Sequence, residues 1–176
     1  IKTNNIIIDT KSGYSGAGKK FDKKNLFSNN LENFYNYNTN QHRHICEIQQ
    51  ELQKHTNEKI NFSFNPHILP TFRGMLSTIY CDLLDNRNLD DAKDCLKNFY
   101  SESDFVYLID KDEKADFFKV ALTNNCYIKF IKSNDSNKII IISLIDNLIK
   151  GASGQAVQCM NIILGFKEKI GINEKQ

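Results

Sequence analysis

The chain has 176 residues, 40% of them hydrophobic and 25% charged, with a formal net charge of +2 at pH 7. That is enough apolar material for one sizeable core in one domain of ordinary globular composition. The near-balanced charge gives no electrostatic drive toward nucleic acid or an anionic membrane surface, and no apolar run approaches membrane-spanning length.

The sequence starts at Ile1 without an initiator Met, and a strand-like run comes almost at once. This opening is no signal peptide; it reads as cut from a longer protein. Residues 5–10 are apolar on both faces, as in a buried strand. Residues 11–18, Lys-Ser-Gly-Tyr-Ser-Gly-Ala-Gly, break that pattern. The glycines permit positive φ and convergent backbone N–H groups, a concavity suited to oxyanions; a flexible linker is the other reading. The loop is no P-loop, because Gly18 is followed by Lys19 and Lys20.

Residues 21–30 could hold a short helix, and 31–37 read as a strand. Asn36, Asn38 and Asn40 then mark a loop that delivers Gln41-His42-Arg43-His44. Ile45, Ile48 and Leu52 predict an amphipathic helix over 45–55, with His55 near its negative end. Residues 60–64 alternate as a half-buried strand, and Pro66 and Pro70 limit the residues after it to a sheet edge or a loop. Arg73-Gly74 precedes a strand over 75–84. Leu89–Phe99 reads as a helix with Ala92, Cys95, Leu96 and Phe99 on its apolar stripe and Asp90 and Asp91 at its positive end.

Short strands are expected at 105–109 and 118–122. Residues 126–132 and 138–144 flank a turn and read as a hairpin. Residues 139–142 are all isoleucine, so that strand is expected to be covered on both faces or to lie at an interface. A last helix spans 152–164 and stops at Gly165, with a frayed tail beyond Phe166. The sum is an α+β fold, a mostly antiparallel or mixed sheet with helices packed on one face. Residues 1–150 form the main domain, 151–166 a C-terminal helix and 167–176 a tail.

The five cysteines (Cys46, Cys81, Cys95, Cys126, Cys159) form no Cys-x-x-Cys pair, which argues against a zinc ribbon or redox dithiol. Their odd number and wide spacing fit free thiols in a reducing, cytoplasmic setting. Most are expected in the core, Cys95 among them. Two imidazoles and a guanidinium beside an anion-cradling loop suit proton transfer on a negatively charged substrate.

Taken in order, Lys11-Ser-Gly-x-Ser-Gly-Ala-Gly18, His42-Arg-His44 with Glu47-Ile48, Arg73-Gly74, and Ile145-Asp-Asn-Leu-x-Lys-Gly-Ala-x-Gly-Gln-Ala-Val-Gln158 with Met160-Asn161 resemble the N-acetyl-gamma-glutamyl-phosphate reductase family. The resemblance covers most of the chain, from Ile7 to Gly165. It implies a catalytic and dimerisation domain similar to the C-terminal domain of glyceraldehyde-3-phosphate dehydrogenase, working with an N-terminal Rossmann domain that binds NADPH. No dinucleotide fingerprint is present here, and none of the five cysteines sits in the family's Pro-Gly-Cys-Tyr context, so that nucleophile is expected upstream of Ile1.

The implied reaction is thiolate attack on an acyl phosphate, release of phosphate, and reduction of the thioester to a semialdehyde. The resemblance makes His42 the catalytic imidazole, acting on the thiol and the developing oxyanion. Arg43 and His44 are then substrate contacts, and Ser15 and Gly16 edge the same anion. Arg73 is either a second anion clamp or a surface ion pair. Ser12, Gly13 and Asn147 are implied cofactor contacts. The helix over 151–166 would pack on the cofactor domain, and the sheet would make a homo-oligomer, dimer or tetramer. The related aminoadipyl-phosphate reductase of lysine biosynthesis shares these motifs, and a non-catalytic oligomerisation fragment is a third reading.

Overall fold

The apolar run near the start of the chain becomes the strand around which the sheet is laid. The computed structural model describes residues 1–20, 33–135 and 137–172. In chain order the strands are β1 (Ile6–Gly13), β2 (Tyr35–Asn36), β3 (Phe62–Leu69), β4 (Met75–Asp82), β5 (Val106–Leu108), β6 (Cys126–Lys132) and β7 (Lys138–Ile145). The α-helices are α1 (Ile45–Gln53), α2 (Leu89–Phe99) and α3 (Gly154–Ile163). The strands form one sheet in the order β2-β3-β1-β4-β7-β6-β5. The β1–β3 and β5–β6 pairs are parallel and the others antiparallel, so the sheet is mixed.

Register assigns each side chain to a face. Ile8 pairs with Ile79, Ile79 with Ile141, and Ile141 with Phe130, which makes one apolar row across four strands. This face carries the main core, where Ile6, Ile60, Cys81, Leu83, Phe130 and Ile139 are buried. Leu52 of α1 and Leu89, Ala92 and Leu96 of α2 pack onto it. Helices on one face is therefore what the structure shows. On the opposite face, Ile109, Val120 and Leu144 form a smaller core with Leu76, Phe117, Tyr127 and Ile142. The segment after β5 supplies this cover and leaves the rest of that face open.

Each of the 139–142 isoleucines has a face: Ile139 and Ile141 go with the main core, Ile142 with the smaller one. Pro66 sits inside β3 with its missing N–H on the β2 side, opposite Tyr37, so pairing with β1 is untouched while β2 stops at Asn36. The Pro66 carbonyl on that side accepts from Tyr37 N–H at 3.1 Å.

Several expectations are corrected. The first strand runs on to Gly13, because β3 and β4 pair with it from both sides and override the loop-like Lys-Ser-Gly. A 3-10 turn comes next, over Tyr14–Lys20. Of the expected 31–37 strand, residues 31–32 lie outside the described part and only Tyr35–Asn36 is strand among the others; beyond it Asn38 and Asn40 take positive φ (47° and 54°) and turn the chain away. Residues 21–30 lie outside the described part. No strand forms at 118–122. Asp116 caps a 3-10 turn over Phe117–Lys119, accepting from Phe118 N–H, and Leu122 has φ of 64°.

Cys95 is exposed, not core, as are Cys46 and Cys159. The stripe of α2 that touches the sheet is only Leu89, Ala92 and Leu96 wide, and Phe99 is left 69% exposed. The helix starts with a capping box missed in the sequence. Asn88 accepts from Asp90 and Asp91 N–H while Asp91 accepts from Asn88 N–H. The tail is not frayed through Ile172. The buried Asn161 amide donates to Glu168 O (2.9 Å) and Ile170 O (2.8 Å), and Ile172 is buried.

Candidate functional site

The His42-Arg43-His44 stretch lies where a helix must begin. Ile45 N–H bonds to His42 O at 3.0 Å and Ile48 N–H to His44 O at 2.9 Å, so this stretch forms the entry to α1. Aromatic side chains then fix the His42 ring. The rings of His44, Tyr37 and Phe64 meet it at centroid distances of 4.7, 5.4 and 5.4 Å. Its Nδ1 accepts the His44 backbone N–H at 3.2 Å, and its Nε2 lies 3.3 Å from Tyr37 Oη. Burial, then the neighbouring His44 and Arg43 charges, push the His42 imidazolium below its ordinary pKa, against a weaker pull from Glu47. His42 is therefore neutral at pH 7.

A cavity of about 460 Å³ opens between α1 and the helix-bearing face of the sheet. His42, Arg43, His44 and Glu47 line one side; Thr10, Ser12, Ser77 and Ser143 line the other, with Gly16 and Tyr37 at its edge. Thr10, Ser77 and Ser143 are register partners on β1, β4 and β7, and Thr10 Oγ1 lies 2.9 Å from Ser77 Oγ. This row of small hydroxyls replaces the isoleucine row one step along the strands. That substitution leaves the space and gives it a polar floor. No cysteine lines it.

Behind Gly16 the chain is knotted by side-chain amides. Asn147 Oδ1 accepts Gly74 N–H at 2.7 Å, and Asn147 Nδ2 donates to Ser15 Oγ at 2.9 Å. Gly74 has φ of 111°, and a Cβ there would lie 2.7 Å from the Phe117 ring. Gly13 passes under residues 72–73, where a Cβ would meet Phe72 O at 2.7 Å. The N–H groups of Gly13, Tyr14 and Ser15 donate to Gly74 O, Thr71 O and Phe72 O. They close the loop onto its neighbour, so they do not converge on an anion.

Asp146, with no exposed surface, anchors the same corner. It accepts Arg73 Nη1 at 2.7 Å, Leu122 N–H and Leu148 N–H at 2.9 Å each, and Ile149 N–H at 3.2 Å. Burial alone would raise its pKa; the Arg73 bond and the backbone donors outweigh this and hold the carboxyl below its ordinary value. Arg73 lines a separate cavity of about 440 Å³ with Lys11, Gly74, Met75 and Phe117.

The structure thus brings Ser12, Gly16, His42, Arg43 and His44 around one cavity, with Ser15 and Asn147 directly behind it. Gly13 lies under the crossing segment, and Arg73 faces elsewhere. Sequence reading gave no role to Tyr37, Ser77, Ser143 or Asp146. The Tyr37 signal was its place five residues before His42; that of Asp146 was a lone carboxylate closing an apolar strand.

A family model described as the semialdehyde dehydrogenase dimerisation domain matches residues 1–147. An N-acetyl-gamma-glutamyl-phosphate reductase from Clostridium botulinum (strain Alaska E43 / Type E3) is 43% identical over 98% of this chain and 50% of its own length. A probable chloroplastic N-acetyl-gamma-glutamyl-phosphate reductase from Arabidopsis thaliana is 41% identical over 98% of this chain and 43% of its own. The chain spans about half the length of the curated relatives it matches. The crystal structure of aspartate semialdehyde dehydrogenase II from Vibrio cholerae, complexed with ASA, superposes with a TM-score of 0.69 at 17% identity, over 91% of this chain and 54% of that one. That likeness shows the fold, a mixed sheet with helices on one face. The match over residues 1–147 does more, and on it this chain belongs to the semialdehyde dehydrogenase dimerisation-domain family.

Proposed function

We propose that the protein carrying this chain reduces N-acetyl-glutamyl 5-phosphate to the 5-semialdehyde and phosphate with NADPH, in arginine biosynthesis. The observation that carries this is the meeting of His42, Arg43 and His44 at one cavity, in a chain 43% identical to a reductase of that name. This chain supplies the substrate side. The nucleophilic cysteine comes from another part of the protein, since no cysteine of this chain lines the cavity.

His42 is the catalytic imidazole of this reading. Held neutral, it serves the thiol proton and the developing oxyanion without adding a fixed charge. Arg43, exposed at the rim, and His44 hold the substrate's anionic groups. Ser15 and Gly16 shape the edge. Arg73 contributes through Asp146, shaping the corner that carries Asn147.

NADPH, when bound, supplies the hydride. Ser12 and Gly16 at the cavity, and Asn147 behind it with one amide hydrogen beyond its Ser15 bond, fit the edge of a nicotinamide. Gly13 lets the crossing segment lie flat beside them. The N–H groups of Gly13–Ser15 are already bonded, so a pyrophosphate would rest on the dinucleotide domain, against which the helix within 151–166 would pack.

A second copy of the chain is the proposed partner of the open sheet face. Ile7, Tyr80, Ile140 and Ile131 are successive register partners there. Ile7 is 47% and Tyr80 41% exposed. An apolar row of this kind on a family dimerisation domain fits a homo-oligomer.

The test is an assay of the full-length protein. It should oxidise N-acetylglutamate semialdehyde with NADP only when phosphate is present. His42→Ala should lower turnover by about a hundredfold or more; unchanged turnover removes His42 from the mechanism.

A further inference from the structure

We propose that Tyr37 is a positioning residue for His42: its hydroxyl accepts from Nε2–H and, with the His44 backbone N–H on Nδ1, holds the imidazole as a neutral Nε2–H donor. Both ring nitrogens have a partner, at 3.3 Å and 3.2 Å. The assignment rests on donor and acceptor roles. A backbone N–H can only donate, so Nδ1 must carry a lone pair and the ring proton must sit on Nε2. Tyr37 Oη then accepts the hydrogen bond from Nε2–H and keeps its own hydroxyl hydrogen free to turn toward a ligand.

The placement has a purpose. Tyr37, His42, Arg43 and Gly16 line both the cavity of about 460 Å³ and a neighbouring one of about 570 Å³ toward Tyr35 and Gln41. They form the wall between the two, and the Tyr37–His42 contact is its hydrogen-bonded seam. Burial raises the Tyr37 pKa against the opposing Arg43 charge, so the phenol stays protonated at neutral pH.

The consequence concerns which step His42 is ready for. In this arrangement the Nε2 proton rests on Tyr37 until an oxyanion replaces that acceptor, and the ring has no free lone pair. To accept a proton it must take it at Nδ1, which requires the His44 N–H to leave at the entry to α1. Protonation of His42 is thus linked to loosening of that first turn. The titratable groups facing the ring are Arg43 and His44, whose interactions oppose protonation, and Glu47, whose interaction favours it; β3 contributes the uncharged Phe64. Removing the Tyr37 hydroxyl takes away an acceptor that an imidazolium would use more strongly than a neutral ring, so the titration of His42 moves to lower pH.

The experiment has two arms. Its part in turnover rests on the reading of His42 above, while the tautomer does not. Long-range ¹H–¹⁵N spectra of the chain, with its four histidines assigned by single replacement, should show His42 as the Nε2–H tautomer at pH 7. In Tyr37→Phe, with an unchanged circular dichroism spectrum, the Nε2 proton should move upfield and the His42 midpoint should fall. An Nδ1–H tautomer in the unmodified chain, or a Tyr37→Phe spectrum with neither change, overturns the proposal. In the full-length enzyme Tyr37→Phe should lower kcat about tenfold with KM within twofold, and move the acidic limb of the pH profile down. If His42→Ala leaves turnover intact while the spectra are as expected, the functional reading has failed and the positioning stands.

Discussion

Arg73 Nη1 lies 2.7 Å from Asp146 Oδ2, and the Asp146 side chain has no exposed surface. The two residues are 73 positions apart in sequence and close one corner of the sheet. Removing one member strands a buried charge, at a cost of about 3–5 kcal/mol. Arg73→Met should therefore lower Tm by about 10 °C, from roughly 2–4 °C per kcal/mol in a domain of this size. Asp146→Leu in the same background should not restore it, because Leu122, Leu148 and Ile149 N–H would lose their acceptor. Recovery in thermal melts would mean the pair, not the backbone caps, holds the corner.

The same carboxylate sets an acid limit. It is held below its ordinary value of 3.8 in the fold. A depressed pKa stabilises the fold above the unfolded value, and that stabilisation is lost as pH falls through the folded one. Stability measured by urea titration should fall below about pH 4, and less steeply in Asp146→Asn than in the unmodified chain. Equal slopes would place the acid sensitivity elsewhere.

Asn147 joins two segments through one amide. Asn147→Leu should leave Gly74 N–H without an acceptor and free Ser15, costing about 1–3 kcal/mol. The local readout is hydrogen exchange. The Gly74 amide should exchange faster in the variant than any amide of β4, and equal protection would show that the 71–74 crossing is held by its backbone bonds alone.

The cysteines should divide into two classes in the isolated chain. Cys46, Cys95 and Cys159 are exposed. Burial pushes the Cys81 thiol up to about 11 and also raises Cys126. A disulfide reagent at pH 8 should consume three thiols quickly and the last two only on unfolding. Rapid reaction of all five would contradict the packing under α2 and β6.

On the open face, Tyr80 faces both Ile7 and Ile140 in register. Tyr80→Glu puts a charge in the middle of that row. Sedimentation should show the assembly dissociating while the chain keeps its helical spectrum. An unchanged assembly would move the interface off this face.

Periodicity sufficed for the local elements. Leu89–Phe99 is a helix over the full span expected, and the 126–132/138–144 pair is the hairpin its turn residues indicate. The failures came where partners distant in sequence decided the outcome. Lys11-Ser12-Gly13 is strand only because β3 and β4 hold it, and Cys95 is exposed because the sheet reaches just three residues of its helix. The site divides in the same way. His42, Arg43 and His44 are neighbours in sequence, so their meeting was readable. Ser77 and Ser143 join them through strand order alone, and Tyr37 through a bond across the turn that only its nearness in sequence to His42 hinted at.

Ile139 to Ile142 are four identical side chains in a strand whose two faces do different work. Sliding β7 by one residue would still set isoleucines on both faces over this run, so these four residues by themselves cannot tell the correct alignment from its neighbour. The information lies at the end of the strand. Only one alignment gives the Asp146 carboxylate its four donors and lets Asn147 reach Gly74. The greasy middle of β7 is a ruler without marks, and the polar corner is its zero. Substitutions there should produce misaligned but compact chains sooner than unfolded ones.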